Sequence, residues 1–236
     1  MKCAIIGHGK MGHEIERILL ERGHSVELIV DEKNVGDLTA EAVKGVDVCF
    51  EFTTPTTAAD NVKTILEAGG RVVCGTTGWL SRLPDMERLA EERGGALFYA
   101  SNFSIGVNMM FRLNRRLAEL MNPHADYEVH IEETHHIWKQ DAPSGTAITL
   151  AEGIIDNLDR KSEWVLGKAD TSEQIAITSI REGMVPGIHS ISYTSPDDVI
   201  ELRHSITNRR ALAMGAVVAG EYLHDKRGIH SMDDLL

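Results

Sequence analysis

The sequence predicts a doubly wound α/β domain joined to a smaller α+β domain, and three observations lead to that fold class. Short β-rich runs alternate with amphipathic helical stretches through roughly the first hundred residues. After Asn102 strand candidates succeed one another with too little chain between them for crossover helices. An apolar helix rich in small residues then closes the chain. Alternation requires parallel strands with helices on both faces of a sheet, whereas close succession requires hairpins or meanders.

Taken in order, residues 2–6, 25–30, 46–52, 71–74 and 96–99 are Val-, Ile- and Phe-rich runs bounded by glycine or turn residues, and read as strands. Residues 11–22, 55–68 and 80–93 carry the 3.6-residue apolar period of helices, as in Ile15, Ile18 and Leu19. Beyond them the pattern predicts a helix over 106–121, a strand over 127–133 and a helix over 144–158. Strands over 174–180, 189–194 and 199–206 follow. In the last, Ile200, Leu202, His204 and Ile206 alternate with Glu201, Arg203 and Ser205, the signature of one covered and one wet face. The closing helix, 209–223, has Ala213, Gly215, Ala216 and Gly220 for close packing against the first domain. The expected domains are therefore 1–106, 107–207, and a returning segment, 208–236.

Composition removes several function classes. The 236 residues are 42% hydrophobic and 25% charged, ordinary values that exclude disorder and fibres. A net charge of −12 repels phosphate backbones and anionic lipid, so neither nucleic acid nor membrane is an expected partner. The longest low-polarity run, 211–220, is well short of the roughly 20 residues of a membrane helix. The first apolar stretch breaks at Gly7, too early for a signal peptide, so a cytoplasmic location is expected. Cys3, Cys49 and Cys74 lie inside apolar runs and read as buried free thiols.

Gly7-His8-Gly9-Lys10-Met11-Gly12 follows the first strand and opens the first helix, the setting of a Rossmann-like dinucleotide fingerprint. Its glycines allow, in turn, the tight bend, the approach of a pyrophosphate and close packing of helix on strand. Asp31, at the end of the second strand, lies about 20 residues further on, where an acid accepts hydrogen bonds from the adenosine ribose. It also repels a 2′-phosphate, so NADH is expected to serve at least as well as NADPH. Phe52-Thr53-Thr54-Pro55, Gly75-Thr76-Thr77-Gly78 and Ser101-Asn102-Phe103-Ser104 each follow a strand, on the edge where open α/β sheets bind ligands.

The richest segment is Glu132-Glu133-Thr134-His135-His136-Ile137-Trp138-Lys139-Gln140-Asp141-Ala142-Pro143-Ser144-Gly145-Thr146-Ala147. Adjacent histidines of a strand point to opposite faces and no cysteine lies nearby, so no metal is expected. Pro143-Ser144-Gly145-Thr146 reads as a helix start, capped by Asp141 or Ser144. Its N–H groups, two hydroxyls and Lys139 predict a site for a small anionic molecule beside an acid–base histidine.

The run His-His-x-x-Lys-x-Asp-Ala-Pro-Ser-Gly-Thr-Ala, residues 135 to 147, resembles the signature of the 4-hydroxy-tetrahydrodipicolinate (dihydrodipicolinate) reductases of lysine and diaminopimelate biosynthesis. Gly75 to Gly78, Ser101 to Asn108, Arg181 to His189 and the closing helix also resemble family segments in order. The resemblance implies NAD(P)H-dependent reduction of a cyclic imine dicarboxylate. It makes His135 the catalytic acid or base, and Lys139 a proton donor that also binds substrate. His136, Ser144, Gly145 and Thr146 would hold the other carboxylate. Gly7, Gly9, Met11, Gly12, Asp31, Phe52, Thr53, Gly75, Thr77, Asn102 and Phe103 would contact the cofactor. A second domain for substrate and oligomerisation, a homotetramer, and hinges near 104–108 and 206–210 are implied too.

Two other readings share the glycine loop. A different nicotinamide dehydrogenase, such as an aspartate or homoserine dehydrogenase relative, would not need His135, His136, Lys139 and Ser144 to Thr146 together. A nucleotide-sensing regulator would carry a DNA-binding helix pair or a basic face, and neither is present in the sequence.

Overall fold

The computed structural model describes residues Met1 to Leu236, which form two compact units: 1–105 with 210–236, and 106–209. In the first unit the strands are β1 (Lys2–Ile6), β2 (Ser25–Val30), β3 (Val48–Glu51), β4 (Arg71–Cys74) and β5 (Ala96–Tyr99). Helices α1 (Lys10–Glu21), α2 (Ala40–Lys44), α3 (Ala58–Glu67) and α4 (Leu83–Arg93) alternate with them. The second unit contains α5 (Ile105–Met121, whose first residue belongs to the first unit), β6 (Glu128–His135), α6 (Gly145–Ile155), β7 (Glu163–Leu166), β8 (Gln174–Arg181), β9 (Ile188–Thr194) and β10 (Val199–Ser205). The chain ends in the first unit with α7 (Arg210–Leu223), β11 (Gly228–His230) and α8 (Met232–Leu235).

The first sheet is six-stranded, in the order β11-β5-β4-β3-β1-β2, and every pairing is parallel. Alternate residues of its strands feed two cores. Cys3, Ile5, Phe50 and Phe98 face α1 and α7, while Ala4, Ile6, Cys49 and Leu97 face α3 and α4. All three cysteines are free and buried in these layers. The small residues of α7 admit close contact: a Cβ at Gly220 would lie 2.4 Å from the Phe50 ring, and one at Gly215 only 1.7 Å from the Phe103 carbonyl oxygen. Because β1 pairs with β2 on one side and β3 on the other, the direction of winding reverses between β1 and β3. That reversal opens the crevice where α/β sheets take ligands.

The second sheet runs β10-β9-β6-β8-β7, with β6, β7 and β8 mutually parallel and β9 antiparallel to both β6 and β10. Helices α5 and α6 cover one face, packing on Val129, Ile131, Ile175, Ile177, Ile191 and Tyr193. No helix of either unit is long and apolar enough to cross a membrane.

Several boundaries differ from the sequence reading. The first of two strands that it lacked, β7, is a half-exposed edge, and the other, β11, is three residues long. The helix expected over 55–68 starts at Ala58, because Thr54 to Thr57 close a turn first. The stretch 80–93 opens with a 3-10 turn at Leu80–Arg82 before α4. Along β10 the expected covered face is only half formed: Leu202 and His204 are half-buried, but Ile200 is 38% exposed. Finally, the strand expected to end at Glu133 continues to His135, since His135 pairs with Arg181 of β8.

Candidate functional site

Two sites emerge, one in each unit. In the first, Gly7 leaves β1 with φ +94°, and a Cβ there would strike the Phe52 carbonyl oxygen at 2.1 Å. Gly12 is equally obligatory, 2.3 Å from the Gly7 carbonyl oxygen. Gly9 differs from both, since nothing lies within 4 Å of the place its Cβ would take. It is the N-cap of α1, and no side chain caps that helix. No side-chain cap takes up the first-turn N–H groups, which a helix start can then offer to a pyrophosphate.

Beside this loop an open cavity of about 250 Å³ is lined by Met11, Phe52, Thr53, Pro55, Gly75, Thr76 and Thr77. Close packing shapes it: a Cβ on Gly75 would meet the Phe52 ring at 2.1 Å, and the Thr53 amide donates to Thr76 Oγ1 at 2.8 Å. Five residues expected to contact cofactor, Met11, Phe52, Thr53, Gly75 and Thr77, are thus brought together. Asp31 directly follows β2, with Oδ1 accepting the Lys33 amide at 2.7 Å. Asn102 Oδ1 accepts the Ser104 amide at 2.9 Å. Phe103, also expected there, is 3% exposed and packs between the Phe52 and Phe98 rings. The sequence reading also missed Glu51, a fully buried carboxylate that accepts from Thr53 Oγ1, from Asn61 Nδ2 at 3.3 Å and from Cys74 Sγ at 3.1 Å. Burial and this acidic neighbour push the Cys74 thiol far up.

The second site grows out of the end of a sheet. On the face of β6 that carries Val129 and Ile131, the next residues at period two are Glu133 and His135. Strand register sets Glu133 between Ser179 of β8 and His189 of β9, and pairs His135 with Arg181. The apolar face covered by helices therefore gives way to a polar row where the strands end. Glu133 is fully buried, and its Oε1 accepts from Ser179 Oγ at 2.7 Å, the Ser144 amide at 3.0 Å and the Arg181 guanidinium at 3.0 Å. Its Oε2 lies 3.0 Å from His135 Nδ1. Burial by itself would raise this carboxyl, but the donors of His135, Ser144, Ser179 and Arg181 outweigh it and hold the group well below the usual carboxylate range. His189 is also buried; desolvation first, then nearby His135, pull it down to about 4, so it is neutral at pH 7.

His135 is 8% exposed, whereas His136 lies beyond the strand end, half-buried, with its ring 6.1 Å from Trp138. Ser144, rather than Asp141, caps α6, its Oγ accepting the Ala147 amide at 3.3 Å and lying 3.2 Å from His189 Nε2. The expectation that both hydroxyls of the turn face a ligand is corrected here, because the Ser144 hydroxyl is turned inward and 3% exposed; Thr146 is half-buried and Gly145 exposed. Lys139 reaches Asp141 with Nζ 2.8 and 2.9 Å from its two oxygens. That ammonium lowers the Asp141 carboxyl. The candidate list from sequence omitted Glu133, Ser179, Arg181, Gly187 and His189. Two signals pointed to them, the spacing of Glu133 and His135, two apart on one strand, and the resemblance of the stretch from Arg181 to His189 to a family segment.

The whole chain has relatives. The profile for the dihydrodipicolinate reductase N-terminus matches residues 1–103, and that for its C-terminus matches residues 106–236. The 4-hydroxy-tetrahydrodipicolinate reductase of Christiangramia forsetii is 42% identical, over 100% of this chain and 98% of that one. The protein of the same name from Methanococcus maripaludis strain S2 is 33% identical, again over 100% and 98%. Among solved structures, the dipicolinate-bound dihydrodipicolinate reductase from Paenisporosarcina sp. TG-14 superposes with a TM-score of 0.82 at 25% identity, covering 100% of this chain and 99% of that one. An amine dehydrogenase from Mycobacterium smegmatis, with a TM-score of 0.61 at 11% identity and coverage of 97% and 94%, shares the fold alone. With both halves matched and relatives aligned from end to end, this chain belongs to the dihydrodipicolinate reductase family.

Proposed function

We propose that the protein reduces 4-hydroxy-tetrahydrodipicolinate to tetrahydrodipicolinate with NAD(P)H, as the names of its full-length relatives indicate. One observation carries the reading: the segment from His135 to Thr146 holds a buried histidine at a strand end, a lysine and the start of a helix. An acid–base group and a place for carboxylates thus come together.

The dinucleotide supplies the hydride when bound. Gly9 and the open first turn of α1 receive its pyrophosphate; Gly7, Met11, Gly12, Phe52, Thr53, Gly75, Thr77 and Asn102 complete its site. Phe103 supports Phe52 from beneath. Asp31 accepts from the ribose hydroxyls and favours NADH over a 2′-phosphate. In the second unit His135 gives up the proton that balances the arriving electron pair, with Lys139 as the alternative donor. The Lys139 ammonium exchanges its Asp141 partner for a substrate carboxylate, and His136, Gly145 and Thr146 hold the other, on the turn that Ser144 caps. The substrate hydroxyl leaves as water together with a ring proton, a loss that accompanies or precedes reduction. Because donor and acceptor carbons must meet, closure about hinges near 104–108 and 206–210 belongs to this proposal.

Residues 1–106 with 208–236 then act as the cofactor domain and 107–207 as the substrate and oligomerisation domain of a cytoplasmic homotetramer. The helix-free face of the second sheet and the exposed Val199 support that assembly, which sedimentation velocity tests.

The decisive experiment follows NADH consumption with substrate generated in place from pyruvate and aspartate semialdehyde by its synthase. Turnover by the wild type, with large losses in His135→Ala and Lys139→Ala, is the expected result. A well-folded protein that binds NADH but does not turn over removes the substrate assignment.

A further inference from the structure

We propose that Glu133 is the positioning residue for His135, fixing which ring nitrogen carries the proton, and that it couples this choice to the turn that opens α6. The inference rests on the role of His135 proposed above.

The two oxygens of this carboxylate are used unequally. Oε1 receives all three strong donors, from Ser144, Ser179 and Arg181. Oε2 receives none of them and faces His135 Nδ1 at 3.0 Å and, more remotely, His189 Nε2 at 3.8 Å. Oε2 and His135 Nδ1 are both buried and neither has a hydrogen bond of good geometry, so the 3.0 Å approach is close but bent. A carboxylate serving the fold alone would spread its donors over both oxygens, because each buried lone pair left unmatched is unfavourable. Here one oxygen is anchored and the other is kept for the imidazole.

His189 does not compete for it. Desolvation keeps that ring neutral, and its Nε2 lies nearer the Ser144 hydroxyl, at 3.2 Å. The Arg181 guanidinium, which also donates to the Asp141 carbonyl oxygen at 2.6 Å, neutralises the carboxylate and ties the 141–144 turn to it.

The chemical consequence follows from the acceptor-only character of a carboxylate. Neutral His135 keeps its proton on Nδ1, toward Oε2, and presents the lone pair of Nε2 toward Gly187, where no side chain intervenes. In the imidazolium both nitrogens carry protons. As hydride adds to the substrate, the Nε2–H bond breaks, its proton passes to the substrate and the bonding pair stays on Nε2. The other proton stays on Nδ1, directed at Glu133 Oε2, throughout. Without Glu133 neutral imidazole divides between its two tautomers, and the proton donor is misaligned.

The test uses the full chain labelled with ¹⁵N-histidine, with the His135 signals assigned by their loss in His135→Gln. At alkaline pH wild-type His135 is expected as the Nδ1–H tautomer, and Glu133→Gln is expected to give a mixture or the Nε2–H form. In the reductase assay Glu133→Gln should lower kcat about 100-fold, with KM for substrate and NADH within about threefold. Ser179→Ala, which removes a donor from Oε1 only, should cost less than about threefold. Glu133→Asp retains the charge but withdraws Oε2; if Glu133→Gln fails to fold, this variant must show the same tautomer change and kcat loss. An unchanged tautomer, or a Ser179→Ala loss as large as that of Glu133→Gln, overturns the proposal. If the wild type lacks reductase activity, the function proposed above falls, while the tautomer measurement still decides the role of Glu133.

Discussion

Gly187 leaves the Nε2 edge of His135 uncovered: a Cβ built on this glycine would stand 3.1 Å from Nε2 and 3.4 Å from Cδ2. Such a contact is too tight for a ring that must also admit a substrate atom. Gly187→Ala is therefore expected to lower kcat/KM about 10- to 100-fold, since a small misplacement of a proton donor is costly. Tm should fall as well, because Gly187 sits at φ +157°, where alanine is strained, so the activity loss is read on the fraction that remains folded. Steady-state kinetics beside a melting curve would separate the two effects, and an unaffected kcat/KM would remove His135 Nε2 from the chemistry.

The three glycines of the first loop should separate by function. Gly12→Ala forces a methyl to 2.3 Å from the Gly7 carbonyl oxygen, overpacking that costs about 1–3 kcal/mol and lowers Tm measurably. Gly9→Ala meets nothing within 4 Å and sits at φ −83°, which alanine tolerates, so its Tm should stay near that of the wild type. The same methyl occupies the space proposed for pyrophosphate. NADH affinity, measured by fluorescence titration, should fall at least about tenfold, roughly 1.4 kcal/mol. A Gly9→Ala protein with normal NADH affinity would place the dinucleotide elsewhere.

Cofactor choice should follow Asp31. Replacing it by alanine removes both the ribose acceptor and the charge that repels a 2′-phosphate. The ratio of kcat/KM for NADPH over NADH should rise by about an order of magnitude. A ratio that does not move would assign selectivity to other residues of the loop after β2.

Stability should depend on pH through His189. Folding lowers its pKa from 6.5 to about 4, so between these values the unfolded chain binds the proton and the native protein does not. Unfolding is then favoured by acid, and stability falls as pH drops from 6.5 towards 4, by about 3 kcal/mol at most for this buried ring. Glu133 acts in a lower window: its carboxyl is held below the ordinary value of 4.5, so its contribution persists above that value and is lost in stronger acid. Chemical denaturation of the wild type and His189→Asn across pH 4 to 7 tests the assignment. Parallel curves would show that another group is responsible.

The parallel sheet was legible because each of its central strands is buried on both faces. Val72, Val73 and Cys74 are all fully buried, and such strands read as continuous apolar runs between glycines. The glycine loop was legible for a related reason, since contacts at Gly7 and Gly12 exclude any Cβ and so write themselves into the composition. Edge strands lack that constraint. The β7 and β11 strands are only partly buried, carry no clean alternation, and became visible only through pairing with β8 and β5.

In the candidate site the same division holds. His135, Lys139 and Ser144 stand close together along the chain, and their helix-start and acid–base chemistry is local, so the linear order of residues announces it. The carboxylate hub joins Glu133 to Ser179, Arg181 and His189, residues 46 to 56 positions away that meet it only because β6 lies between β8 and β9 in one register. The inward turn of the Ser144 hydroxyl and the core position of Phe103 were decided in the same way, by neighbours distant in sequence. Periodicity and turn chemistry are properties of adjacent residues and survive in a one-dimensional string. Register, and with it the partner of a buried charge, is chosen by the packing of whole strands, and exists only once the chain has folded.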